Sequence, residues 1–358
     1  ASLSLAATVV KTGLLGRSNA ADIGVPALPL GELHGDAGAA AAAKLGAQVL
    51  LGAKVTAIEV DDTVPPGAPV PPDASVPSDA SVPSDASVPS DAPGASRSRS
   101  RSRFCLRLAR PADPAGTAGA AGAVILADAV VLAVPHEAAA RLIPPGALPE
   151  ATVAGWAGLG ASPIVNVHVI YDRPVLDLPF AAAVDSPVQW AFDRTRISGL
   201  AGPQGSQDPS SSRAQYLAIS LSAADEYVDV PTATLREQFV PALAELFPAA
   251  REAQVTEFFV TRERRATFRQ APGTARLRPR AGTQLPGLVL AGAWTDTGWP
   301  DTMESAVRSG LAAAIELRQT ALSRLGLPRA GYSDSGVSDS GVSGSEGTAS
   351  TSTIGVRQ

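Results

Sequence analysis

The segment Gly287–Ala314, GLVLAGAWTDTGWPDTMESAVRSGLAAA, constrains the fold more than any other part of the chain. It opens with a short apolar run of strand length and passes into a glycine turn. A Trp- and Pro-containing loop follows, and then a helix starting near Asp301. A helix N-terminus carries free N–H groups and the positive end of the helix dipole, so it attracts anionic or electron-rich ligand atoms. The small residues Ala306, Ser309, Gly310 and Ala313 let such a helix approach a ligand or a neighbouring helix closely. On pattern alone, a ligand-binding turn and an ordinary, tightly packed strand–loop–helix connection are equally good readings.

The rest of the chain alternates ordered and low-complexity sequence. Residues 1–50 read as helices with short Gly/Pro breaks, followed by a strand from about Gln48 to Asp61. The motif DASVPS then occurs three times in tandem from Asp73 to Ser90, and Ser96–Arg103 alternates Ser with Arg. Pro, Ser and Asp in repetition bury too little apolar area to offset chain entropy, so 62–103 reads as a disordered insertion. Strands at 54–60 and 104–110 are then hairpin partners with the insertion at their turn, which costs little because closure entropy grows slowly with loop length. AVILADAVVLAVP reads as two short strands broken near Asp128. Further strands are expected at 163–172, 188–194, 214–222 and 253–268, with a polar loop at 202–213. An amphipathic helix is expected at 231–248, with Thr232 or Thr234 as its cap. Residues 329–358, rich in Gly, Ser, Thr and Asp, read as a disordered tail.

The 358 residues carry a net charge of −5, which gives no global signal for nucleic acid. The arginines at 97, 99, 101 and 103 read as a solvated linker, with binding to RNA or an acidic surface as the weaker alternative. The single cysteine, Cys105, excludes an intrachain disulfide and suits a reducing cytoplasm. The three histidines are far apart in sequence, no Cys/His cluster has zinc spacing, and no metal site is expected. No run of about 18 apolar residues suggests a spanning helix.

The Gly287–Ala314 segment resembles the C-terminal flavin-binding motif of the amine-oxidase/phytoene-desaturase class. GAKVTAIEVDD and DAVVLAVPHEAAARLIP resemble two further strands of that class, in the same order. TGLLGRSNAADIGVPALPLGELHGDA, SPIVNVHVIYDRPVLDLPF, VQWAFDR and VTRERRATFRQAPG resemble the hydroxysqualene dehydroxylases within it, so the resemblance covers most of residues 10–320 outside the insertion. It implies an α/β fold: an FAD/NAD(P)-binding, glutathione-reductase-like domain, incomplete at the N-terminus, with a mixed-sheet α+β substrate domain. The implied division is 1–39 as a helical part of the substrate domain, 40–61 and 104–144 as FAD-domain segments, 145–280 as the substrate domain, and 281–328 as the C-terminal FAD-binding segment.

The resemblance also implies residue roles. Gly292, Ala293 and Trp294 would lie by the ribityl chain of FAD, Trp299 near the isoalloxazine, and the backbone of Thr302 and Met303 at flavin N1/O2. Val55 would reach the adenine end through its backbone. The class usually carries an acidic residue where this chain has Ala293, which removes one cofactor contact. His168 and Arg265 are substrate-side candidates, set against a buried structural histidine and a surface salt bridge. His136 reads as structural or capping. No general acid is identified.

The implied activity is reductive dehydroxylation of hydroxysqualene to squalene by FAD. The implied partners are an isoprenoid lipid substrate, other squalene-pathway enzymes and a peripheral contact with the inner face of the membrane. A carotenoid or phytoene desaturase-like or amine-oxidase-like flavoenzyme, and a non-catalytic truncated remnant, are the alternatives. The strand–GxGxxG–helix that grips the FAD pyrophosphate in this class does not occur in the chain. The chain as given is therefore expected to bind FAD weakly or not at all.

Overall fold

Alternating burial along one long strand organises the larger half of the protein. The computed structural model describes residues 2–16, 19–60, 104–109, 123–200 and 214–324. The insertion 62–103, the loop 202–213 and the tail 329–358 lie outside the described residues.

Helix α1 (Leu3–Leu14) is followed by a single π-type turn, Gly31–Asp36, that runs into α2 (Ala37–Lys44). Strands β1 (Val55–Val60), β2 (Phe104–Leu108) and β3 (Val124–Ala127) form an antiparallel meander, with Val55 opposite Leu108 and Val60 opposite Phe104. The hairpin therefore closes around 61–103 as the sequence suggests. The strand expected from Gln48 is shorter: it begins at Val55. Leu50 and Leu51 are apolar but exposed, and Gly52 adopts φ +72°, which interrupts an extended run.

Strand β4 (Val130–Leu132) leads into α3 (His136–Leu142), then α4 (Glu150–Gly155) and a 3₁₀ turn, Trp156–Leu159. Strands β5 (Ser162–Tyr171), β6 (Phe180–Ala182), β7 (Trp190–Asp193), β8 (Gln215–Ser222) and β9 (Val255–Thr267) form one antiparallel sheet in the order β6-β7-β8-β5-β9. Helix α5 (Thr232–Leu246) packs beneath it. Pro231, not a threonine side chain, stands at the α5 N-cap; Thr232 Oγ1 lies 3.5 Å from Arg262 Nη2 instead. Strand β10 (Leu288–Leu290) pairs in parallel with β4, and α6 (Met303–Arg324) follows.

Two cores result. Along β5, buried and half-buried residues alternate without a break, so Val165, Val167, Val169 and Tyr171 face β8's Leu217, Ile219 and Leu221 and α5's Leu235, Phe239 and Leu243. The second core joins Ile58, Phe104, Leu132, Trp156, Leu159, Phe268, Leu288, Leu290 and Trp294. Each large side chain so buried contributes about 1.5–3 kcal/mol. The second core fixes the ends of β4, β9 and β10 against one another.

Candidate functional site

Those three strand ends open onto one cleft of about 420 Å³, at the lower end of the usual ligand-pocket range. Its lining combines Val134–Arg141 at the start of α3, Arg265–Phe268 at the end of β9, Gly292–Trp294 after β10, and Asp301 just before α6.

The turn after β10 needs glycine. Gly292 has φ +135°, and a Cβ there would stand 2.6 Å from Trp294 Nε1. The Gly292 N–H donates to Ser309 Oγ at 2.8 Å, and the Trp294 indole N–H donates to the Val134 carbonyl at 2.8 Å. Ser305 Oγ donates to the Ala293 carbonyl at 2.9 Å and pairs with Thr297 Oγ1 at 2.6 Å. The small residues of α6 thus serve the turn directly, but through Ser305, Ser309 and Ala313, which are buried. Ala306 and Gly310 are exposed.

One arginine holds the whole connection. Arg278 is 6% exposed. Its guanidinium donates to the carbonyls of Trp294 (3.3 Å), Trp299 (2.8 Å), Ala293 (3.0 Å) and Thr295 (2.5 Å) and to Thr297 Oγ1 (3.1 Å). It also stacks over the Phe268 ring at 5.1 Å. Five acceptors spread over Ala293–Trp299 are what a planar guanidinium fork can satisfy and an ammonium cannot.

The entry of α6 faces outward. Thr302 is its N-cap: Thr302 Oγ1 accepts from the Ser305 N–H at 3.3 Å, and the Thr302 carbonyl accepts from Ala306 N–H at 3.1 Å. The N–H groups of Met303 and Glu304 have no partner among the described residues. Met303 is 64% exposed, at the head of an exposed apolar row with Val307, Leu311 and Ile315.

The cleft is rich in ionisable groups. Asp301 Oδ2 accepts the Phe268 N–H at 2.7 Å, and its other oxygen has no hydrogen-bond donor among the described residues. Burial holds the Asp301 carboxyl above the usual carboxylate range, against the opposing pull of the Phe268 N–H, Arg278 and His136. Burial also lowers His136, which is 6% exposed, against the opposing effects of Glu137 and Asp301. Glu137 bridges His136 Nδ1 (3.5 Å) and Arg265 Nη1 (3.3 Å).

A second cavity, about 580 Å³, shares His136 and Glu137 with this cleft. Its walls are chiefly apolar: Ile143, Leu148, Val153 and Trp156. Trp156 stacks edge-on against Trp294 at 4.8 Å, and its Nε1 is buried without a partner among the described residues.

Of the residues singled out from sequence, the structure brings Gly292, Ala293, Trp294 and Arg265 to the cleft, with Thr302 and Met303 beside Asp301 at its edge. Trp299 is not among the residues lining the cleft; its ring lies under Arg308 at 4.7 Å. Val55 pairs with Leu108 in the meander. His168 is not in the cleft. It stands on the face of β5 opposite the core, stacked on Phe259 at 4.5 Å. Its Nδ1 meets Tyr216 Oη at 2.7 Å and its Nε2 meets Thr261 Oγ1 at 3.0 Å. Burial, then Arg194, lowers its pKa. The same face carries Phe180, Trp190 and Phe192 with ring centroids 6.1 Å apart. Sequence reasoning missed Asp301, Glu137 and Arg278, and placed His136 without chemistry.

The cleft offers a ligand three features. A glycine at positive φ lets backbone approach a ligand, two helix N–H groups are free, and indole and apolar walls flank the cleft. Comparison with known proteins identifies a family. The family profile described as flavin containing amine oxidoreductase matches residues 101–317. The hydroxysqualene dehydroxylase of Rhodopseudomonas palustris is 35% identical over 187 residues, 52% of this chain and 38% of that protein. That of Sinorhizobium fredii is 34% identical over 189 residues, again 52% and 38%. The zeta-carotene desaturase of Arabidopsis thaliana is 33% identical over 94 residues, 26% of this chain and 17% of that protein. Among solved structures, an oxidoreductase from Methanosarcina mazei aligns with a TM-score of 0.48 at 15% identity, covering 78% of this chain and 53% of the other. The chain thus spans well under half the length of the two dehydroxylases it matches.

Proposed function

The chain belongs to the flavin-containing amine oxidoreductase family, and from that premise we propose that it is the substrate and flavin-edge part of an FAD-dependent oxidoreductase that converts hydroxysqualene to squalene. The observation that carries the reading is the cleft itself, lined by the positive-φ turn at Gly292, by Trp294 and by Phe268, with the entry of α6 following Asp301 at its edge. The similarity to two hydroxysqualene dehydroxylases supplies the substrate.

In this reading β4 and β10 with the meander belong to a glutathione-reductase-like FAD domain, and the five-stranded sheet to the substrate domain. Gly292, Ala293 and Trp294 border the ribityl chain and Trp299 the outer rim of the ring. The N–H groups at the Thr302–Met303 helix entry face the pyrimidine edge, and the Val55 backbone serves the adenine end. FAD, when bound in reduced form, supplies a hydride.

The residues of the chain do the rest. Trp294 and Phe268 exclude water from the reacting carbon, which protects a cationic centre. The apolar cavity beyond His136 suits a hydrocarbon chain, as does the aromatic face around His168. Arg265, tethered by Glu137, lies at the mouth and orients the oxygen end of the substrate. No described helix is long and apolar enough to cross a membrane; we propose that a C30 lipid is collected by peripheral contact with the inner membrane face, near other squalene-pathway enzymes.

The test is anaerobic incubation of the protein with excess FAD, dithionite and hydroxysqualene, with extracted lipids read by mass spectrometry. Squalene is the expected product. A second reading, carotenoid desaturation, is favoured by the similarity to zeta-carotene desaturase. Desaturation of zeta-carotene under air, with hydroxysqualene recovered unchanged, would establish that reading in place of the first.

A further inference from the structure

We propose that Asp301 is the catalytic acid of the cleft, delivering the proton that lets the substrate hydroxyl depart as water. The inference rests on the dehydroxylase reading and adds the group that the reading lacks.

Three observations carry it. First, position: Asp301 lines the same cleft as Gly292, Ala293 and Trp294, at the step between the loop and α6. Second, anchoring: one carboxylate oxygen is fixed by the Phe268 N–H at 2.7 Å, while the other has no donor among the described residues. A carboxyl held at one oxygen and free at the other can present an O–H in a defined direction. Third, elimination among its neighbours. Arg141 and Arg265, from α3 and β9, line the cleft, and Arg278 lies against it, but guanidinium groups do not release protons at working pH. Glu137, from α3, is already engaged, by Arg265 at 3.3 Å and by His136 at 3.5 Å. His136 is buried, which favours its neutral ring. Asp296 is exposed and acts on the region through Arg278. Among these neighbours Asp301 combines burial, which favours the protonated acid, with a place in the cleft lining and an oxygen that no donor among the described residues meets.

The step balances as follows. The carboxyl O–H of Asp301 breaks and its proton joins the substrate hydroxyl oxygen. The C–O bond breaks with its electron pair going to oxygen, and water leaves. The allylic carbon then accepts a hydride from reduced flavin, so the substrate is reduced by two electrons and the flavin oxidised. Asp301, left as carboxylate, regains a proton from solvent.

Two measurements test it, using the full 358-residue chain. The first needs no cofactor: carboxyl ¹³C shifts are followed against pH in the wild type and in Asp301→Asn, the resonance absent from the variant being that of Asp301. It is expected to titrate above the ordinary aspartate range. Titration at or below the ordinary aspartate range overturns the proposal, whatever the substrate. The second uses excess FAD with dithionite and compares hydroxysqualene with a carboxylate ester of the same alcohol, whose leaving group departs without a proton. Asp301→Asn keeps an acceptor for the Phe268 N–H, so the fold is expected to stand. It should slow the alcohol by about 10²–10⁴-fold and leave the ester unchanged. Equal slowing of both, or no slowing of the alcohol, overturns the acid. Absence of squalene from the wild type instead overturns the dehydroxylase reading, and the titration still decides whether Asp301 holds a proton.

Discussion

Arg278→Met removes the clamp on the loop between β10 and α6 while keeping a similar side-chain volume. The guanidinium meets five acceptors between 2.5 and 3.3 Å and the face of Phe268. A hydrogen bond to a charged group contributes about 1.5–3 kcal/mol, but such values do not add within one network. The exposed loop residues Asp296 and Gly298 give water a route to some of the freed carbonyls. The expected loss is therefore about 3–5 kcal/mol, the range for breaking a buried charged network, against a total stability of about 5–15 kcal/mol. Arg278→Lys keeps the charge but presents three rotatable donors in place of the planar fork, and should lose about half as much. Urea denaturation followed by tryptophan fluorescence measures both, since Trp294 sits at the clamp. A loss below about 1 kcal/mol for Arg278→Met would refute the claim that this arginine shapes the cleft.

Three further outcomes follow from the same geometry. Met303→Pro is tolerated in the first helical turn but removes one free N–H, so with FAD bound the flavin potential should fall by about 30–60 mV, the equivalent of roughly 1.5–3 kcal/mol; an unchanged potential would place the flavin elsewhere. Thr302→Ala should cost α6 about 1 kcal/mol through its lost cap and move the potential far less, which paired melting and potentiometry would check. Tyr171 is 1% exposed, its hydroxyl has no partner among the described residues, and burial pushes its pKa up to about 12. The folded state therefore keeps the proton that the unfolded chain releases near pH 10, and stability should fall by about 2–3 kcal/mol between pH 10 and 12; Tyr171→Phe should flatten that decline in alkaline melting curves.

The parts of the fold legible in the sequence are those whose signal is local. The alternation in β5 is visible because one face is buried along its full length, and the β1–β2 hairpin because two alternating runs flank a polar insertion. β6 escaped notice because three residues are too few to show a period. Residues 48–53 looked like strand because Val49, Leu50 and Leu51 are apolar, yet no strand among the described residues pairs with them, and Gly52 turns the chain. The site divides in the same way. The Gly292 turn and the entry of α6 are written in consecutive residues. Arg278 is not, because its acceptors lie 15–21 residues onward and its neighbours Arg276 and Arg280 give it the look of a solvated basic stretch. Asp301 reads as an ordinary residue before a helix; only the return of β9 to the same place, with Phe268 donating to it, makes it part of a cleft.

The central claim, that the cleft between Gly292 and the entry of α6 holds the ring end of FAD, is tested most directly by adding FAD to the ¹⁵N-labelled chain and following amide shifts. Weak binding is predicted, since the sequence contains no GxGxxG turn for the pyrophosphate. Its shift changes should be concentrated at Gly292–Trp294 and Met303–Glu304. Changes confined to other surfaces, or tight stoichiometric binding that leaves these amides unmoved, would contradict the account.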